Sequence, residues 1–121
     1  MIRKIAHIGM AVKNLEEAGN FFRENFNVSV SHPERFGELR FSFIPFEGTD
    51  LELLQSTTPA GEIAKFIEKK GQGIHHLAFS VADMDQVLED YTGRDFVVSM
   101  GGTWGEKGKP GSGRYEYIDL K

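Results

Sequence analysis

The chain has 121 residues and a formal charge of −4, with 40% hydrophobic residues, 26% charged residues and no cysteine. That length supports one domain with its own core, and the acidic balance disfavours nucleic acid and anionic membrane surfaces as partners. No apolar run reaches the ~18 residues of a membrane span, and without thiolates any metal must rest on His, Asp, Glu or amide groups.

Alternation over residues 2–12 predicts a strand, with Ile5, His7, Gly9 and Ala11 on one face and Ala6, Ile8, Met10 and Val12 on the other. Asn14 is placed to cap a helix that runs to Phe26. Glu16 and Glu17 sit in its positive first turn, and Leu15, Ala18, Phe22 and Phe26 form its apolar stripe. Residues 27–30 read as a short strand, and His32-Pro33 as a turn on the surface. Residues 39–46 alternate, with Phe41 and Phe43 opposite Arg40 and Ser42. Glu47-Gly48-Thr49-Asp50 is a hairpin signal, and residues 50–55 are the returning strand.

The segment 57–73 is a linker whose helix, over residues 59–70, is stopped by Gly71-Gln72-Gly73. Lys65, Lys69 and Lys70 read as its solvated face. A strand over residues 74–81 follows, then a helix capped by Asp83 and ending near Tyr91. A strand over residues 95–100, a glycine-rich loop over residues 101–113 and a strand over residues 114–120 complete the chain. The start, Ile2-Arg3-Lys4-Ile5 after the initiating methionine, lacks the pattern of a secretory signal, so a cytoplasmic setting is expected.

These elements form two copies of one pattern. Ile5-Ala6-His7-Ile8-Gly9-Met10-Ala11-Val12 returns as Ile74-His75-His76-Leu77-Ala78-Phe79-Ser80-Val81, which places His7 on His76. Arg40-Phe41-Ser42-Phe43-Ile44-Pro45 returns as Arg114-Tyr115-Glu116-Tyr117-Ile118-Asp119. The division is therefore module one at 1–56, the linker helix at 57–73 and module two at 74–121. The second copy has no counterpart of the strand that carries Glu52, since the equivalent position falls past Lys121. The sequence reads as stopping before its last strand, with a true short form or an edge completed by a partner as the alternatives.

If the copies pair around a pseudo-two-fold axis, His7, His76 and Glu52 can converge on one divalent ion. Two imidazoles and a carboxylate suit cobalt, zinc, nickel, manganese or iron and leave positions open for water or substrate. Strand alternation turns His75 to the face opposite His76, which makes it structural. Arg40, Ser42, Arg114 and Glu116 share the face opposite the aromatics Phe41, Phe43, Tyr115 and Tyr117. That face is read as a polar cavity where the arginines meet an anionic substrate. The alternative is a plain polar sheet face with the aromatics packed under the helices.

At these residues the chain resembles the vicinal oxygen chelate superfamily, the glyoxalase/bleomycin resistance/dioxygenase group, whose α+β fold pairs two βαβββ modules around a metal cleft. The motifs His7-Ile8-Gly9-Met10-Ala11-Val12-Lys13-Asn14-Leu15-Glu16, Leu51-Glu52-Leu53-Leu54 and the run from Ile63 to Phe79 are similar above all to the methylmalonyl-CoA epimerases. By position, the resemblance implies His7, Glu52 and His76 as metal ligands, with a fourth carboxylate beyond Lys121. It implies a homodimer and an acyl-CoA substrate. The implied reaction is epimerisation of a 2-methyl-branched acyl-CoA, by α-proton abstraction with the metal stabilising the enolate. The catalytic acid and base are not assigned. Rival readings are a lactoylglutathione lyase-type isomerase, an iron dioxygenase, and a member that binds a small molecule without chemistry.

Overall fold

The computed structural model describes residues 2–82 in full, together with the backbone of two further strands at Val97–Met100 and Tyr115–Asp119. In chain order the elements are β1 (Ile2–Ala11), α1 (Leu15–Phe26), β2 (Glu34–Phe36), β3 (Leu39–Pro45) and β4 (Asp50–Ser56). They are followed by α2 (Glu62–Lys70), β5 (Gly73–Val81), β6 (Val97–Met100) and β7 (Tyr115–Asp119). The helix expected after Asp83 and the glycine-rich loop lie outside the described residues, as does Arg114.

The strands form one mixed sheet in the order β2-β3-β4-β1-β5-β7-β6. β1 runs parallel to β4 and antiparallel to β5, so the leading strands of the two repeats lie side by side at the centre. This is the α+β, glyoxalase-like arrangement that the family resemblance implied. The halves differ at one slot: β7 runs antiparallel beside β5, whereas β4 runs parallel beside β1.

Two apolar clusters grip the sheet from opposite sides. Val12, Leu15, Ile44 and Leu53 are buried under α1, with Met10, Phe22, Val28 and Leu51 packed against them. Ala11, Phe41, Leu54 and Ile63 are buried under α2, joined by Phe43, Phe66 and Ile67. Each large side chain buried this way contributes about 1.5–3 kcal/mol. Because β4 reads Leu51-Glu52-Leu53-Leu54, its odd positions feed the α1 cluster, while Leu54 joins the α2 cluster and Glu52 shares that face.

Local sequence explains where the elements start and stop. The N-terminal N–H groups of α1 are satisfied twice, Glu17 N by Asn14 Oδ1 at 2.9 Å and Leu15 N by Gln55 Oε1 at 2.8 Å. The helix ends at Asn27, whose φ of 52° is the left-handed conformation that asparagine tolerates. α2 stops at Gly71, as the glycine signal predicted. The second strand does not lie at residues 27–30. It is Glu34–Phe36, paired back onto β3 across the turn at Gly37. Val28 and Val30 alternate like a strand because they pack under α1, but the segment meets β3 only at Ser31, whose N–H donates to Phe43 O at 2.8 Å, and forms no ladder. Among the described residues no helix is long and apolar enough to cross a membrane.

The double satisfaction of the α1 start yields a quantitative expectation. Asn14→Ala should lower stability by about 1 kcal/mol, read as a fall in the urea midpoint at unchanged slope. An unchanged midpoint would show that Gln55 alone suffices to cap the helix.

Candidate metal centre

The centre is built around a residue without a side chain. Gly9 pairs with Glu52 on β4 in one direction and with His76 on β5 in the other. A Cβ added at Gly9 would stand 2.2 Å from Cε1 and 2.5 Å from Nδ1 of His76. The glycine is there for room: its missing side chain is the slot in which the His76 ring lies. Two residues upstream on the same face, His7 is 3% exposed, and Glu52 is equally buried at 3%.

The three side chains meet over this slot. Nε2 of His7 lies 3.1 Å from Nε2 of His76. Oε1 of Glu52 lies 3.9 Å from the His7 nitrogen and 3.8 Å from the His76 nitrogen. All three ligand atoms fall within 4.8 Å of one another. Donors held tetrahedrally around one ion at ordinary metal–nitrogen and metal–oxygen lengths stand about 3.4 Å apart. The observed edges of 3.1, 3.8 and 3.9 Å bracket that spacing, and the two nitrogens and one oxygen are a donor set that borderline divalent ions accept. The residues fit the ion that the repeat called for.

An aromatic wall flanks the triad. Phe43 pairs with Glu52 across β3 and β4, and its ring stands 6.2 Å from that of His7. Phe41 follows at 5.8 Å from Phe43. The site is therefore dry on this side, and burial governs its charge. Desolvation pushes the Glu52 carboxyl up to about 7, and lowers His7 to about 4. His76 is lowered to about 3, first by desolvation and then by the neighbouring imidazoles of His7 and His75.

Arg40 and Ser42, expected to line a substrate cavity, are not gathered here, and Arg114 lies outside the described residues. Arg40 and Ser42 pair with Gln55 and Leu53, so they lie on the α1 face, opposite the triad. Arg40 is bound to Glu16 on α1 and reaches Gln55 Oε1 at 3.5 Å, while Ser42 is buried at 2%. The pairing of Arg40 with Glu16 ties α1 to the sheet. On β3 the expected polar cavity face is thus a helix contact, and Phe43, not Arg40, faces the centre. A groove of about 440 Å³ beside Phe21, Phe22 and Gln72 also lies on the α1 side, away from the triad. Sequence reasoning missed His75. Alternation turned it away from His76, but β5 carries an extra residue here, and the two Nδ1 atoms lie 2.8 Å apart. The signal available in the sequence was the tandem His75-His76 itself.

The profile of the glyoxalase/bleomycin resistance protein/dioxygenase superfamily matches residues 6–114. The chain belongs to that superfamily. Curated relatives include the uncharacterized protein YqjC of Bacillus subtilis, 32% identical over 90 residues, which cover 73% of this chain and 64% of YqjC. Another is the ethylmalonyl-CoA/methylmalonyl-CoA epimerase of Cereibacter sphaeroides, 32% identical over 87 residues that cover 69% of this chain and 65% of the relative. The chain thus spans just under two thirds of the length of either protein. Among solved structures, a Streptomyces coelicolor methylmalonyl-CoA epimerase variant in complex with 2-nitronate-propionyl-CoA superposes with a TM-score of 0.74. It is 27% identical, over 85% of this chain and 81% of that one.

Two outcomes follow from the geometry of this superfamily member. Gly9→Ala should expel the His76 ring from its slot. Ring-proton NOEs between His7 and His76 should vanish while far-UV circular dichroism holds; NOEs of unchanged intensity would show that the slot does not position the ring. Glu52→Gln should alter the pH dependence of stability in chelator-treated protein. The folded state holds the Glu52 proton more tightly than the unfolded chain, so its contribution is complete below pH 4.5 and is lost as pH rises through about 7. The loss is on the order of 3 kcal/mol. The two histidines act in the opposite sense, since their lowered values cost stability as pH falls below 6.5. Urea denaturation between pH 5 and 8 should show the stability of Glu52→Gln rising more steeply with pH than that of the wild type up to about pH 7, with the two curves parallel above it; curves parallel throughout would overturn the raised value of Glu52.

Proposed function

We propose that the protein is a metal-dependent epimerase of a 2-methyl-branched acyl-CoA, with His7, Glu52 and His76 as ligands of one divalent ion. The observation that carries this reading is the convergence of the three buried groups over Gly9, in a chain whose relatives include proteins named as methylmalonyl-CoA epimerases. A divalent ion held there would supply Lewis-acid stabilisation of the negative charge that builds on a thioester oxygen as the α-proton leaves.

The chain's own residues prepare that site in three ways. His7 and His76 are kept neutral by burial down to pH values far below 7, so both offer lone pairs without first losing a proton. Glu52 sits near its midpoint at neutral pH and must release its proton to act as a ligand, after which its charge offsets that of the cation. Phe43, backed by the buried Phe41, keeps water from the His7 side and presents an apolar surface to a branched acyl group. In such surroundings each electrostatic interaction with the substrate counts for more than it would in water.

The deciding experiment follows solvent deuterium. Incubated in deuterium oxide with methylmalonyl-CoA, the metal-loaded protein should place deuterium at the α-carbon, and a chelator should stop the exchange. His7→Ala and His76→Ala should each weaken metal binding by at least about 100-fold and abolish exchange. Metal-loaded protein that exchanges no α-hydrogen would refute the epimerase reading. Full metal affinity in either variant would refute the ligand assignment.

A further inference from the structure

We infer that His75 is a positioning residue that holds His76 with its hydrogen on Nδ1 and its Nε2 lone pair turned to the centre. The purpose of this arrangement rests on the metal reading above; its content rests on the side-chain geometry alone.

The placement begins with a bulge. Gly9 pairs with His76 and Met10 with Ile74, which leaves His75 as the extra residue on β5. Bulges re-aim side chains, and this one brings His75 onto the same face as His76, against α2. The His75 ring stands edge-on to Phe66, with centroids 4.9 Å apart, and to His76, with centroids 5.1 Å apart. The Nδ1 atoms of the two histidines are 2.8 Å apart, a hydrogen-bond distance. Two neutral imidazole nitrogens in such a contact share one hydrogen, so one ring donates and the other accepts.

A third group sets the sense of that bond. Oε1 of Glu62, in the first turn of α2, lies 3.7 Å from Nε2 of His75. An ionised carboxylate has only acceptor sites, so it favours the His75 tautomer with hydrogen on Nε2. That tautomer leaves His75 Nδ1 as the acceptor, and the hydrogen in the 2.8 Å contact belongs to His76 Nδ1. A neutral imidazole protonated at Nδ1 carries its lone pair on Nε2. On His76 this is the atom that faces His7 Nε2 at 3.1 Å and Glu52 Oε1 at 3.8 Å. The side chain of Glu62 is exposed and longer than a hydrogen bond from its partner, so its pull is modest. The short contact between the histidines carries most of the effect, and the carboxylate gives it direction. Ligating histidines commonly donate their second nitrogen to an outer acceptor, and an imidazole can serve as that acceptor.

The test has a readout that needs no metal. Long-range 1H–15N correlation spectra of chelator-treated, 15N-labelled protein should give His76 the pattern of the Nδ1–H tautomer. The Nε2–H pattern would overturn the inference, whatever any variant does. His75→Phe keeps a ring against Phe66 but removes the acceptor, whereas His75→Asn returns an acceptor near the place of Nδ1. In His75→Phe the His76 pattern should shift toward Nε2–H and cobalt(II) affinity should fall by about 10–100-fold, with His75→Asn within roughly threefold of wild type. An unchanged His76 pattern or an unchanged cobalt affinity in His75→Phe would each overturn it. If the wild-type protein takes up no cobalt, the metal reading fails by itself, and the tautomer of His76 still decides the role of His75. If His75→Phe does not fold, the wild-type spectrum decides alone.

Discussion

The arrangement depends on a missing side chain. Gly9 is the point at which the central strand touches both neighbours at the level of the site, with Glu52 beside it on β4 and His76 on β5. Any larger residue would occupy the volume in which the His76 ring lies. His7 is on the same strand, two residues away, so the geometry of the triad is the geometry of one three-strand crossing. The pairing of the repeats matters for this reason. It places the leading strand of the second copy where its histidine can bend over the glycine of the first.

Holding three polar groups in this position has a cost that the rest of the fold offsets. Burial raises Glu52, so near neutrality it is denied the full ionisation it would have in water, and the two neutral imidazoles give up their hydration. The apolar clusters on either side of the sheet supply the compensation, Leu53 and Ile44 under α1 and Leu54 and Phe41 under α2. They also hold β4 rigidly, because its leucines are claimed from both faces. Glu52 therefore cannot swing toward solvent to recover hydration without pulling its neighbours out of the core. A site with that property is pre-organised, and the fold itself holds its three side chains close together.

The repeat made much of this legible. It gave the two-module organisation and the pairing of His7 with His76 by matching one copy to the other, while Glu52, whose counterpart would fall past Lys121, was singled out by its place on the strand closing the first copy and by the family resemblance. What it left ambiguous was which face of each strand looks toward the site. Alternation divides β3 into Phe41 and Phe43 against Arg40 and Ser42, but it does not say which set lies under α1. Packing decides that. Ile44 is in register with Arg40 and Ser42 and belongs to the α1 cluster, so the arginine goes with it and is captured by Glu16. The position of β2 was lost for a related reason. Val28 and Val30 have the alternation of a strand but use it to pack against a helix. The re-aimed His75 was hidden by the bulge, because a single extra residue inverts every inference drawn from alternation beyond it.

The bulge and the glycine solve complementary problems on adjoining strands. Regular pairing would give the centre one side chain from each strand and turn alternate residues to the opposite face. That yields three converging side chains but no outer partner for His76 on the same face. Removing the side chain at Gly9 opens space on β1, and adding a residue on β5 fills the approach with a second imidazole. The same bulge leaves Ile74 exposed at 61%, a local loss of burial that regular pairing would not predict for an apolar residue next to the site. A departure from regular pairing that uncovers an isoleucine persists only when something else over-determines it. Here that is the chain of contacts from Phe66 and Glu62 through His75 to His76, which anchors the site to α2. The helix that joins the two repeats is thereby more than a connector. By holding His75 it links the orientation of a triad histidine to the packing of α2 on the sheet.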